Sequence, residues 1–98
     1  MSDPAKQASA ITVLYFAGAQ AATGIQRERV ELPASESGFP LSELGALLAV
    51  RHPKGGLADV LQTSQWSVNE ELVPSEDVAA TRLRGGENVA VIPPVSGG

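Results

Sequence analysis

Two short apolar runs, residues 11–17 (ITVLYFA) and 88–92 (NVAVI), stand near opposite ends of a 98-residue chain. Both are rich in the β-branched and aromatic residues that favour strands. Thr12 is the only polar member of the first run. Ile11, Val13 and Tyr15 therefore point one way and Leu14 and Phe16 the other, with both faces apolar. Strands this apolar require cover on two sides, which predicts that the first and last strands are central and adjacent. A chain of this length has room for one domain with one modest core, so one face can rest on a helix and the other is covered by more of this chain or by a partner.

The intervening residues divide into short elements. Thr23-Gly24 signals a turn, and residues 26–32 (QRERVEL) then alternate, with Arg27, Arg29 and Glu31 on one face and Glu28, Val30 and Leu32 on the other. This reads as a half-exposed strand, the hairpin partner of the first, with its Arg/Glu face solvated. Residues 40–51 (PLSELGALLAVR) carry the helical signal, because Leu41, Leu44, Leu47 and Leu48 recur at three- and four-residue spacing. Pro40 suits a first helical turn, and Pro53 disfavours helical geometry at His52 and ends the helix. Residues 57–62 predict a short second helix with Leu57, Val60 and Leu61 inward. Residues 66–69 form a short strand, Glu70-Glu71 a turn and Leu72-Val73 the return strand. Residues 74–84 are irregular apart from one helical turn over 76–79. The order predicts a two-layer α+β fold. The β-grasp, or ubiquitin-like, arrangement is one such fold, with a mixed four- to five-stranded sheet packed on one main helix, and other two-layer folds share the order.

Composition narrows the function. The net charge is −4, which disfavours nucleic acid and anionic membranes as partners and suits a basic protein surface. There are no cysteines, so disulfides and thiolate metal sites are excluded and a reduced, cytoplasmic setting is expected. The apolar stretches are too short to span a bilayer, and residues 1–9 read as a flexible polar extension without the apolar core of a signal peptide. One His, no Cys and no Walker-type glycine loop leave no expected metal site and no cofactor bound by this chain. His52 suits a surface or capping role, Trp66 core packing, and Glu70, Glu71, Glu76 and Asp77 a solvated edge.

The last eight residues, VIPPVSGG, are of a different kind. Neither Pro93 nor Pro94 can donate to a ladder, and Pro94 holds Pro93 extended. The expected organisation is therefore a domain over 10–92 with a projecting tail over 93–98. Val95 and Ser96 are small, and Gly97-Gly98 carries no side chains at all, which permits close backbone approach inside a narrow channel. A terminal carboxylate can be recognised through backbone donors, and it becomes electrophilic only once activated, for instance as an acyl-adenylate. The chain has no cysteine, so the Gly98 carboxylate is the candidate group for such activation.

The ending IPPVSGG with GGENVA before it, the opening ITVLYFAGAQ and the central WSVNEELV closely resemble the small-subunit family of molybdopterin synthase over roughly residues 10–98. That resemblance implies a β-grasp fold. It also implies a cycle in which a ubiquitin-activating-like enzyme uses ATP to adenylate Gly98 and a sulfur donor protein converts it to a thiocarboxylate. Pro93, Pro94, Val95, Ser96 and Gly97 then act as the arm inserted into the large subunit. There sulfur passes to cyclic pyranopterin monophosphate, with the catalytic side chains on the large subunit and two copies of each subunit in the complex. Family members often carry charges in the loop after the first strand, where this chain has Gly18-Ala19-Gln20-Ala21-Ala22. A ubiquitin-like modifier joined to lysines would use the same activated Gly98. A carrier for thiamin or amino-acid synthesis would also use it, although such carriers generally lack the Pro-Pro-Val lead. A β-grasp binding module with an incidental tail would not need it. A carrier that visits two enzymes needs a common docking surface, and Val13, Tyr15 and Phe16, beside the last strand, are the expected members of an apolar patch near the tail.

Overall fold

The structure, a computed structural model, describes residues 9–33 and 37–94. In chain order the elements are β1 (Ser9–Tyr15), α1 (Ala17–Thr23), β2 (Arg27–Leu32), β3 (Phe39–Pro40), α2 (Leu41–Arg51), α3 (Leu57–Thr63), β4 (Gln65–Val68), β5 (Glu71–Val73), a 3-10 turn (Ser75–Ala80), β6 (Arg82–Leu83) and β7 (Asn88–Ile92). The two most apolar strands are indeed central. The sheet order is β2-β1-β7-β4-β5, with β1 and β7 parallel and the outer pairs antiparallel. This mixed sheet with α2 across one face is the β-grasp fold. Of the expected extension over 1–9, Ser9 is already paired with Leu32, and residues 1–8 lie outside the described residues.

One face of the sheet makes the core. Ile11, Val13 and Tyr15 from β1, Val30 and Leu32 from β2, and Val89 and Val91 from β7 meet Leu41, Leu44 and Leu48 of α2. Burying side chains of this size contributes roughly 1.5–3 kcal/mol each before the entropy of ordering them is set against it. Leu57 and Trp66 close the core on the α3 side. Gly45, unfavourable for helix propensity, leaves space beside the Trp66 ring, since a Cβ there would sit 3.7 Å from Trp66 Cζ2. A two-stranded ladder of β3 and β6 pins the start of α2, helped by the Leu41 N–H donating to Thr81 O at 2.9 Å.

Two local expectations are corrected. Residues 17–23 are a helix rather than part of a turn. The segment AGAQAAT has high alanine propensity, but two turns are too short for an apolar period to be read, and only Ala19 is buried. Gly24 ends this helix at φ 78, its N–H donating to Gln20 O at 2.7 Å, a glycine C-cap in the left-handed region. The β4–β5 turn is Asn69-Glu70, not Glu70-Glu71, with both residues at positive φ (52 and 72). That geometry matches the twist of a two-residue hairpin, and Asn tolerates it. The Asn69 side chain also accepts from the Asn88 N–H at 3.0 Å, anchoring the turn to the start of β7.

Candidate functional site

The last ladder partner of β7 is Ile92, opposite Gln65. Pro93 is buried against the domain and Pro94 is exposed. The paired backbone therefore stops where the two prolines remove the donors, as their sequence position predicts. Val95, Ser96, Gly97 and Gly98 lie outside the described residues.

The tail root opens onto the sheet face that α2 does not cover. Strand alternation and register lay out this face in rows. Arg27, Leu14, Ala90, Ser67 and Leu72 run across β2, β1, β7, β4 and β5. One step nearer the tail are Phe16, Ile92 and Gln65, and one step further away are Arg29, Thr12 and Asn88. Leu14, Phe16, Ser67, Glu70, Leu72, Asn88, Ala90 and Ile92 line a shallow basin of about 370 Å³. Phe16 is 48% exposed and Leu72 61% exposed, unusual for large apolar side chains clustered on one surface. A second groove of about 380 Å³ between α2 and α3 is lined by Ser42, Gly45, Ala46 and Trp66 among others. It holds no titratable side chain and is not lined by any residue of β7, whereas Ile92, in the basin, immediately precedes Pro93.

The expected patch named Val13, Tyr15 and Phe16. Phe16 is on the open face, but Val13 and Tyr15 are buried at 0% and 1% exposure and cannot contribute to it. The period of two along β1 sends them toward α2 with Ile11, and Leu14 takes their place beside Phe16. Leu72 and Ile92 complete the patch. The alternation that identifies Leu14 was already visible in the sequence, whereas pairing Leu72 with it required the strand order.

Tyr15 has a different task. Its hydroxyl donates to Glu28 Oε2 at 2.5 Å, and His52 Nε2 lies 2.6 Å from the same oxygen. Arg51 reaches Glu28 Oε1 at 3.2 Å. The Tyr15 and His52 rings meet edge to face with centroids 5.8 Å apart. This cluster joins β1, β2 and the end of α2. His52 caps α2, as its place before Pro53 suggests, its N–H donating to Leu48 O at 3.0 Å. Burial, reinforced by the hydrogen bond to Glu28, pushes the Tyr15 phenol well above its usual range. Burial alone would raise the Glu28 carboxyl. The hydrogen bonds from Tyr15 and His52, with the charges of His52 and Arg51, outweigh it and hold the carboxyl below its ordinary value. The folded protein thus favours ionised Glu28 more than the unfolded chain does. The resulting stability is present above about pH 4.5 and is lost as pH falls through the lower folded value. Glu28→Gln lowers the urea midpoint at neutral pH, and the variant and parent midpoints converge in strong acid. Parallel curves at all pH values would show that the carboxylate charge contributes nothing.

Among the described residues no cluster of His, Asp and Glu could hold a metal ion, and no helix is long and apolar enough to cross a membrane. The segment 18–22 supplies no charge beside the tail root; it forms most of α1.

Comparison with known proteins agrees with this geometry. The ThiS family matches residues 13–98. The molybdopterin synthase sulfur carrier subunit of Mycosarcoma maydis is 41% identical over 88 residues, covering 90% of this chain and 92% of its own. The crystal structure of SAMP1 from Haloferax volcanii superposes with a TM-score of 0.71 at 20% identity, over 92% of this chain and 100% of that one. The complex of subunits 1 and 2 of molybdopterin-converting factor from Helicobacter pylori contains a chain that superposes with a TM-score of 0.58 at 24% identity, over 91% of this chain and 99% of that one. A match from the core of β1 to Gly98, with a relative this similar along nine-tenths of the chain, establishes that the chain belongs to the ThiS family.

Proposed function

We propose that this chain is the sulfur-carrying small subunit of a molybdopterin synthase and that the Gly98 carboxylate is the group that carries the sulfur. The observation that supports this most directly is the 41% identity to a curated molybdopterin synthase sulfur carrier subunit, within a family match that runs to Gly98. In this reading an adenylating enzyme joins the Gly98 carboxylate to AMP from ATP, releasing pyrophosphate. Sulfide-level sulfur delivered by a donor protein then attacks the acyl carbon, forming the C–S bond of a thiocarboxylate as the C–O bond to AMP breaks. The chain itself holds no cofactor and supplies reach, with Pro93 to Gly97 as the arm and Gly98 as the reacting end. The cycle runs in the cytoplasm.

The large subunit is the third partner, and a chain of similar fold occurs in the complex of subunits 1 and 2 from Helicobacter pylori. The tail enters the large subunit while the basin around Leu14, Phe16, Leu72 and Ile92 is covered by it, two copies of each chain making up the complex. There sulfur passes to cyclic pyranopterin monophosphate, and the carboxylate is restored for another round. Intact-mass measurement on protein recovered from cells tests the reading. A species in which one terminal oxygen is replaced by sulfur supports it. Its absence from cells actively making the pterin dithiolene would refute it.

A further inference from the structure

β2 is the free edge of the sheet on the side of Leu14. Its register puts Arg27 beside Leu14 and Arg29 beside Thr12, with both side chains on the open face. Both are exposed, and neither takes part in an ion pair or hydrogen bond among the described residues. Arg51, by contrast, is bound to Glu28. The next residue on this face, Glu31, lies at the end of β2 away from the tail root, whereas Arg27 shares its row with the basin residues Leu14 and Ala90. On the far side the basin is bordered by Glu70. The face is therefore apolar in the middle, cationic along β2 and anionic at the β4–β5 turn.

We infer that the large-subunit surface covering this face carries carboxylates opposite Arg27 and Arg29. The inference rests on the sulfur-carrier reading. The overall charge of −4 points toward a basic partner, but the two unpaired guanidinium groups reverse that preference locally. A separated pair of opposite charges across one face fixes the orientation of an approaching protein as well as attracting it. Correct orientation matters here because the tail must enter its channel while the basin is being covered. Edge arginines can also serve simply to stop a free strand from pairing with another chain. Glutamates would do that equally well, which makes charge reversal a discriminating test.

The test is association of the full chain with the large subunit, measured as rate and Kd over a salt series. The parent is compared with R27E/R29E, R27Q/R29Q and Phe16→Asp. All substituted positions are exposed, and thermal unfolding of each variant should match the parent. At low salt R27E/R29E should associate about tenfold more slowly or worse, with R27Q/R29Q in between. The difference should shrink as salt rises. If R27E/R29E associates at the parent rate at low salt while Phe16→Asp prevents the complex, the inference is overturned and docking on the sheet face stands. If Phe16→Asp also binds as the parent does, or the parent forms no complex, the docking reading itself is overturned.

Discussion

Under the proposed function, deletion of Gly97 and Gly98 is expected to abolish sulfur transfer and to leave the fold unchanged. Among the described residues the ladder ends at Ile92, and the core is built without the deleted residues. The six residues beyond Ile92 reach about 20 Å when extended, and the deletion withdraws the carboxylate by about 7 Å. Reacting atoms must approach to about 3–3.5 Å, and a misplacement of about 1 Å can already cost on the order of a hundredfold. The expected loss is therefore complete within the limits of a reconstituted assay. One residue added after Gly98 has the same result for a different reason, because the reacting carbon is then locked in an amide. The two variants are checked by pterin dithiolene formation together with intact mass and circular dichroism. Sulfur incorporation by either one, untrimmed, would remove Gly98 from the mechanism.

Gly55→Ala is expected to be the most damaging small substitution in the described part of the chain. Gly55 has φ +93, and a Cβ there would stand 2.2 Å from the backbone oxygen of Ala22. Strained φ and enforced overlap each cost roughly 1–3 kcal/mol, giving about 2–6 kcal/mol in all. That is a large part of the stability of a domain this small. The neighbouring Gly56 has φ +78 with open space around it, so Gly56→Ala pays only the conformational term, about 1 kcal/mol. Urea unfolding of the pair separates steric contact from dihedral strain. Equal midpoints would mean that the α2–α3 connection moves away from Ala22 at little cost. This approach is what brings the α2–α3 connection against α1.

The sequence made some of this visible and hid the rest for identifiable reasons. The central position of β1 and β7 follows from apolar residues on both faces, and Leu41, Leu44 and Leu48 display the buried side of α2 directly. Elements whose existence depends on tertiary packing were not visible. β3 and β6 are two residues each, and α1 is too short to show a period. Of Val13, Tyr15 and Phe16, only Phe16 lies on the open face, because the period of two along β1 sends the other two toward α2. Tyr15 is the clearest case: it is buried, its hydroxyl donates to Glu28, and its ring meets His52 edge to face, both residues far from it in sequence. The tail was legible as a motif because its meaning depends on local chemistry: two prolines, two small residues and two glycines.

The position of β7 between β1 and β4 has a mechanical consequence. If a partner grips the tail, as the proposed function requires, and the two bodies part, the load enters the domain along β7. It is shared by a parallel ladder on one side and an antiparallel ladder on the other, so both sets of hydrogen bonds are sheared together instead of being peeled open singly. A tether rooted in an edge strand would unzip under the same pull. Under the proposed function, a tether rooted centrally is the arrangement suited to repeated withdrawal from a partner.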